Sequence, residues 1–357
     1  MKAGIYIHIP FCRIKCDYCS FYSIPINNCT DIVNSYIDSL LREIDFIAQN
    51  HPELVADTVY FGGGTPSILE PRQIGTIINH VSEKFKLQCD PEITIEINPD
   101  DLSERKLDGF LCSGINRIVL GVQSLNPDLL ERIGRRGRPV TAIDLEMFFS
   151  RGNFTRCIDI ITGIPGQTCG ELFADLENLC VFKPEHISLY LLSVDDSTPL
   201  GMRFTPDDIF EKNQVILWDA AMKYLKGKGY VHYEISNYSL PGYESRHNSK
   251  YWDFTPYVSF GPGAHSFFDN KRYSNNMNVM DYINSVNVVY NTVPVTTENK
   301  IVEFIMTSLR RIEGFTYDEF SSVTGLSVPE EIKTGISARE KEGMLHVENG
   351  RCFLSEK

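Results

Sequence analysis

The stretch "HIPFCRIKCDYCSF" (8–21) places Cys12, Cys16 and Cys19 within eight positions, and the next cysteine is Cys29. Three thiols so close can hold a metal ion, hold a cluster, or pair as disulfides. Structural zinc wants four protein ligands in a closed tetrahedron, and here the fourth would be His8, Asp17 or a distant group. An iron–sulfur cube normally takes four thiolates. With three, one iron keeps an open position, which is how a metal centre does chemistry rather than scaffolding. Disulfides fit poorly. Met1-Lys2-Ala3 runs straight into "GIYIHIP" (4–10), which reads as a strand and is too short for the apolar core of a secretory signal. Ten cysteines without such a signal read as thiols of a reducing compartment, so a cytoplasmic protein is expected.

The chain has 357 residues, enough for two or three domains or for one large α/β domain with an appendage. Its 42% apolar and 23% charged residues fit a globular protein. A net charge of −13, from 34 basic against 47 acidic side chains, argues against a nucleic-acid partner. No apolar run approaches the roughly 18 residues that would span a membrane.

Short β-branched runs alternate with helical patterns, the mark of repeated βα units on a parallel sheet. Strands are expected at 4–10, 57–63, 92–98, 117–123, 157–165 and 186–193. A helix carries Ile32, Tyr36, Leu40 and Ile44 at helical spacing, and others are expected over 71–86, 102–113, 126–133, 140–151 and 169–181. Six such strands form an open sheet or an incomplete barrel, and either gathers its active groups at the strand C-termini. The residues there are small or polar: the cysteine loop, "GGGTP" (62–66), Glu96, Gln123, and Asp159 ahead of "GIP". After about residue 200 the pattern changes to a helix over 207–229, a loop-rich aromatic stretch over 229–267, a helix over 298–320, and a hairpin turning at Asn349-Gly350.

The Cys-x3-Cys-x2-Cys spacing with Tyr18 before the last cysteine, together with "FGGGTP" (61–66), resembles the radical S-adenosylmethionine superfamily. Further segments extend the likeness over nearly the whole chain: "EITIEINPD" (92–100), "GINRIVLGVQS" (114–124), "IDIITGIPGQT" (158–168), "HNSKYW" (247–252) and "GPGAHSF" (261–267). They are similar to the branch of oxygen-independent coproporphyrinogen III dehydrogenases and HemW-type haem chaperones. The resemblance implies an incomplete (β/α)6 barrel over 1–200, an aromatic-rich connecting region over 201–295 and a small helical, winged-helix-like appendage over 296–357. It implies Cys12, Cys16 and Cys19 as ligands of a [4Fe–4S] cluster whose open iron chelates S-adenosylmethionine for one-electron cleavage. It places Tyr6, Gly63, Gly64, Thr65, Glu96, Gln123, Arg135 and Asp159 around that cofactor, with Tyr18 packed nearby. Four of them also have a plainer reading: Glu96 as an exposed strand-end charge, Asp159 as a turn cap, Gln123 as a partner of backbone groups, and Arg135 with Arg136 as a solvated pair. Cys29, Cys89, Cys112, Cys157, Cys169, Cys180 and Cys352 lack metal-ligand spacing and read as small core residues.

Within that branch the choice lies between a dehydrogenase acting on coproporphyrinogen and a carrier that gives haem to a respiratory protein. The dehydrogenases usually carry a further cysteine two positions after the third, where this chain has Phe21. They also carry an N-terminal extension, whereas strand one here begins at Gly4, and the chain stops at "CFLSEK" where relatives continue into one more helix. "HNSKYW" resembles an element of the chaperones and offers His247 as a haem contact, with His8, His232 and His265 as rivals. Its alternative is a hydrogen-bonded core turn. A carrier without dehydrogenase activity is therefore expected, and the resemblance leaves room for a homodimer and for transient contact with a membrane surface.

Overall fold

The computed structural model describes residues 2–26, 30–285 and 290–355. Six parallel strands follow one another in chain order: β1 (Lys2–Ile9), β2 (Val55–Gly63), β3 (Lys86–Ile97), β4 (Arg117–Gln123), β5 (Thr155–Thr162) and β6 (His186–Leu191). Strand order that never reverses is the winding of a barrel, not of a doubly wound sheet with a switch point. The crossover helices Thr30–Asn50, Pro71–Lys84, Glu104–Cys112, Ala142–Ser150 and Cys169–Cys180 match the expected ones to within a few residues. In Pro71–Lys84 the buried Ile74, Ile77, Ile78 and Val81 recur at helical spacing and face the sheet.

Period two sorts the strand residues between two faces. Ile5, Ile7 and Ile9 of β1, Val59 and Phe61 of β2, Ile95, Leu120, Ile158 and Ile187 point outward into one continuous core beneath the helices. The alternate row runs in register Tyr6, Tyr60, Thr94 and Arg117, and one layer nearer the mouth Glu96, Val119 and Cys157. That row lines the inside of the barrel and is rich in polar groups.

The stretch 229–267 is not the loop-rich connection its composition suggests. It supplies β7 (Val231–Glu234), β8 (Asn237–Ser239), β9 (Tyr257–Phe260) and most of β10 (His265–Phe268). With β11 (Lys271–Asn275) and β12 (Tyr290–Pro294) the sheet among the described residues has the order β12-β11-β10-β9-β1-β2-β3-β4-β5-β6-β8-β7. Strand β9 is parallel to β1, and β8 closes antiparallel on β6. Gly and Pro at their borders and lengths of only three to five residues hide these strands from periodicity.

The helix expected over 298–320 is two helices, Thr297–Ser308 and Tyr317–Thr324. Gly314, at φ +61, turns the chain between them, packed against the Cys352 carbonyl. The hairpin Leu345–Glu348 and Arg351–Leu354 turns at Asn349-Gly350, whose φ values of +50 and +77 suit the two-residue hairpin turn read from the sequence. A second core of Phe304, Phe315 and Phe320 takes in Phe254 and Phe267 from the preceding region.

The short helix Arg246–Trp252 fills the barrel at the N-terminal ends of its strands. Lys250 Nζ lies 2.9 Å from Asp57 Oδ1 and both side chains are buried, while Lys2 reaches the same carboxylate at 3.1 Å. Burial alone would raise Asp57, but Lys250 and Lys2 hold it below the usual carboxylate range. Replacing Lys250 by Met leaves Asp57 with only an exposed partner. We expect a loss of about 3 kcal/mol in urea unfolding; a loss under about 1 kcal/mol would show that the pair does not hold the helix in place.

Candidate cluster and cofactor site

The cysteine loop is fixed where it leaves β1. Gly64 N donates to Ile9 O at 2.8 Å and Thr65 N to Phe11 O at 2.7 Å. A Cβ on Gly64 would lie 2.6 Å from Phe11 O, so the glycine-rich turn is required for contact between two backbones. Thr65 Oγ1 donates to Cys12 Sγ at 3.5 Å, and Arg136 N to Cys16 Sγ at 3.2 Å. Asp17 N donates to Gly134 O at 3.0 Å, and the Asp17 carboxylate accepts from Arg136 and Arg203. The loop is thus tied to β2 on one side and to the segment after β4 on the other.

Cys12, Cys16 and Cys19 line one cleft at the mouth, together with Tyr18, Gly64, Thr65, Glu96, Gln123, Arg135 and Asp159. Ten of the thirteen site residues expected from the sequence therefore meet. Arg135 is not a solvated cation: Nη1 donates to the Tyr18 hydroxyl at 3.2 Å and Nη2 to Gly121 O at 3.2 Å. Gln123 reaches the cleft from a bulge in β4 that gives it φ +67, an uncommon backbone for a residue with a side chain.

Glu96 accepts from the Tyr60 hydroxyl at 2.8 Å, and burial, reinforced by the nearby Asp159 charge, pushes its carboxyl up to about 8. Burial likewise raises Asp159 to about 6, against the lowering effect of Ser188, Arg117 and Arg135. Asp159 Oδ1 is buried without a hydrogen-bond partner. Lys15, Asn98 and Gly121 also line the cleft and were not singled out in the sequence. Asn98 lies inside the quoted "EITIEINPD" and Gly121 inside "GINRIVLGVQS"; a Cβ on Gly121 would meet Gln123 Nε2 at 3.3 Å.

Tyr6, Gly63 and His247 stand outside this lining. Tyr6 lies deeper, stacked on Tyr60 at 6.0 Å, and Gly63 packs under the His8 ring at φ +110. His247 sits at the opposite end of the barrel and is 1% exposed. Its Nδ1 is 2.8 Å from Thr58 Oγ1 and its Nε2 is 3.0 Å from the Tyr251 hydroxyl. Both ring nitrogens are thus engaged within the barrel, where the helix Arg246–Trp252 seats the imidazole. Cys157 and Cys352 are buried, Cys169 and Cys180 half-buried, and Cys89 and Cys112 exposed; Cys29 lies outside the described residues.

Among the described residues no three metal-ligating side chains converge on a single ion. The donor set fits a cluster instead: three thiols around one cleft, two of their sulfurs accepting hydrogen bonds, as thiolate ligands of a cluster commonly do. The unpartnered Asp159 oxygen and the Glu96 carboxyl beside it are free to accept from a bound ligand, and Arg135 brings a guanidinium to the same cleft.

A model of the radical SAM superfamily matches residues 6–179, and this is the class that barrel and cysteine loop define. The haem chaperone HemW of Lactococcus lactis is 31% identical over 99% of this chain and 93% of its own length. HemW of Bacillus subtilis is 32% identical over 99% and 95%, and that of Escherichia coli 31% over 99% and 96%. The chain belongs to the HemW family of radical SAM proteins. The solved coproporphyrinogen III oxidase HemN of Escherichia coli, itself a radical SAM enzyme, superposes with a TM-score of 0.83, covering all of this chain and 87% of that one; at 19% identity this shows a shared fold.

Two outcomes follow from this geometry. Cys16→Ser should lose most of the iron and sulfide taken up by wild type in anaerobic reconstitution, and full incorporation would remove Cys16 from the ligand set. The second concerns acid. Burial, with a smaller push from Lys250, lowers the His247 imidazole from 6.5 to about 3. Between those values the unfolded chain binds the extra proton, so stability is complete above pH 6.5 and falls as pH drops towards 3. The loss amounts to about 2 kcal/mol at pH 5 from this residue alone. His8 and His186, also lowered by burial, add in the same direction. A pH series of urea midpoints should show a steeper decline below 6.5 in wild type than in His247→Gln; parallel curves would contradict it.

Proposed function

We propose that this protein binds haem and passes it to a respiratory haem protein, while holding a [4Fe–4S] cluster on Cys12, Cys16 and Cys19 with S-adenosylmethionine beside it. The observation that carries this reading is the end-to-end similarity to haem chaperones, 31–32% identity over 99% of the chain. The cleft supports the cofactor part. S-adenosylmethionine brings an ammonium, a carboxylate, a sulfonium and ribose hydroxyls; Glu96 and Asp159 suit the cationic and hydroxyl groups, and Arg135 suits the carboxylate. When bound, cluster and S-adenosylmethionine together supply one-electron chemistry. The chain's own residues bind and orient them.

Phe21 favours the carrier over a coproporphyrinogen dehydrogenase. It occupies the position of the further cysteine that the resemblance assigns to the dehydrogenases, and it is 68% exposed beside the cluster loop. Cytoplasm is the compartment this reading assigns. Among the described residues no helix is long and apolar enough to cross a membrane.

The test is an anaerobic haem titration followed by absorbance on cluster-reconstituted protein, beside His247→Ala and a coproporphyrinogen turnover assay. Near-stoichiometric haem binding by wild type with no protoporphyrinogen formed is expected. Equal binding by the variant would place haem away from "HNSKYW". Absence of specific binding by wild type sinks the carrier reading, and turnover above a cluster-free control supports the enzyme.

A further inference from the structure

The helix that carries His247 is seated by several features of the barrel at once. A Cβ on Gly4 would lie 2.8 Å from Lys250 Cδ, 3.0 Å from Thr58 Oγ1 and 3.2 Å from His247 Cε1, so β1 is bare where the helix enters. Glu92 accepts the backbone N–H groups of Arg246 and His247 at 3.1 and 2.9 Å. Lys250 adds its ion pair with Asp57. Thr58 and Tyr251 then fix the imidazole at both nitrogens. This is more restraint than a space-filling residue needs.

The face of the imidazole is what the restraint controls. It stacks on Tyr60 at 5.1 Å and 29°, and on Tyr6 at 6.3 Å and 30°. Tyr60 donates from its hydroxyl to Glu96 in the cleft. Around Gly62 there is no slack: a Cβ there would lie 2.9 Å from Tyr60 Cε1, 3.0 Å from Tyr6 Cε2 and 3.1 Å from Glu96 Oε1. Any shift of the Tyr60 ring is therefore transmitted to Glu96.

We propose that His247 is a positioning residue for the S-adenosylmethionine pocket: seated at the far end of the barrel, it holds Tyr60 by stacking, and Tyr60 holds Glu96 where a ligand hydroxyl or ammonium meets it. This rests on the reading that the cleft binds S-adenosylmethionine. It gives "HNSKYW" a role in cofactor binding that does not need its imidazole to touch haem. Each link from His247 through Tyr60 to Glu96 is a direct contact, and Glu96 lines the same cleft as the three cysteines.

The experiment is a double-mutant cycle on cluster-reconstituted protein, read as S-adenosylmethionine affinity by anaerobic equilibrium dialysis, with urea unfolding of every variant alongside. His247→Ala and Tyr60→Phe should each weaken binding about tenfold, the scale of one lost hydrogen bond to a charged group. The double variant should be no weaker than the worse single one, because both act through the same link. Gly62→Ala, which crowds Tyr60, Tyr6 and Glu96 without touching His247, should give a similar loss and keeps the test open should His247→Ala fail to fold. Unchanged affinity in His247→Ala or in Gly62→Ala overturns the proposal, as does a fully additive double variant, which would mean that His247 acts only through the fold. Absence of S-adenosylmethionine binding by wild type would instead overturn the reading of the cleft on which the proposal stands.

Discussion

Everything at the mouth depends on how the backbone leaves β1. Gly64 and Thr65 donate to Ile9 and Phe11 from one side. From the other, Gly261 at φ +101 lets β9 end against His8, where a Cβ would come within 2.6 Å of the carbonyl oxygen. The Tyr36 hydroxyl donates to that same His8 oxygen at 2.7 Å. The exit is held by two glycine turns and the Tyr36 hydroxyl, each set against main-chain carbonyls. A loop of three thiols anchored in this way starts from a fixed point, and thiols on a fixed loop keep their separation without a metal to enforce it.

The barrel interior is polar along its whole length, yet its two ends treat charge differently. At the floor Asp57 is met by Lys250 and Lys2, and Glu92 caps the helix Arg246–Trp252. Pairing of this kind offsets the desolvation of buried ions without leaving groups for a ligand. At the mouth Asp159 keeps an oxygen unpaired and Glu96 faces it with a single tyrosine partner. Leaving a buried acceptor unpaired costs about 1–3 kcal/mol.

How much of this the sequence shows depends on whether the determinant is local. The six barrel strands and their helices rest on runs of seven or more residues with a clear period, and they stand where the pattern puts them. Strands β7 to β10 rest on three or four residues each; β7 pairs locally with β8 and β10 with β11, but β9 joins β1 across some 250 positions. Cys12, Cys16 and Cys19 are legible because one short loop carries all three. Gly121 is less so, since the Arg135 guanidinium that comes within 3.7 Å of a Cβ there is brought from outside its strand. The burial of His247 is likewise not legible, since it is set by Gly4, Thr58 and Glu92, which no local pattern connects to it.

The fold cannot by itself separate a carrier from an enzyme, because the HemN barrel superposes over the whole of this chain. The acidic pair sharpens what a carrier reading must explain. Glu96 and Asp159 are both raised by burial, and Glu96 further by the charge of its neighbour. Such a pair is poorly tolerated empty and is relieved when positive charge arrives between its members. A chain that only held haem on its surface would lose nothing by replacing both with apolar residues of similar size. Both carboxyls line the cleft beside the cysteine loop, and Tyr60 bonds Glu96 from the side of the barrel floor.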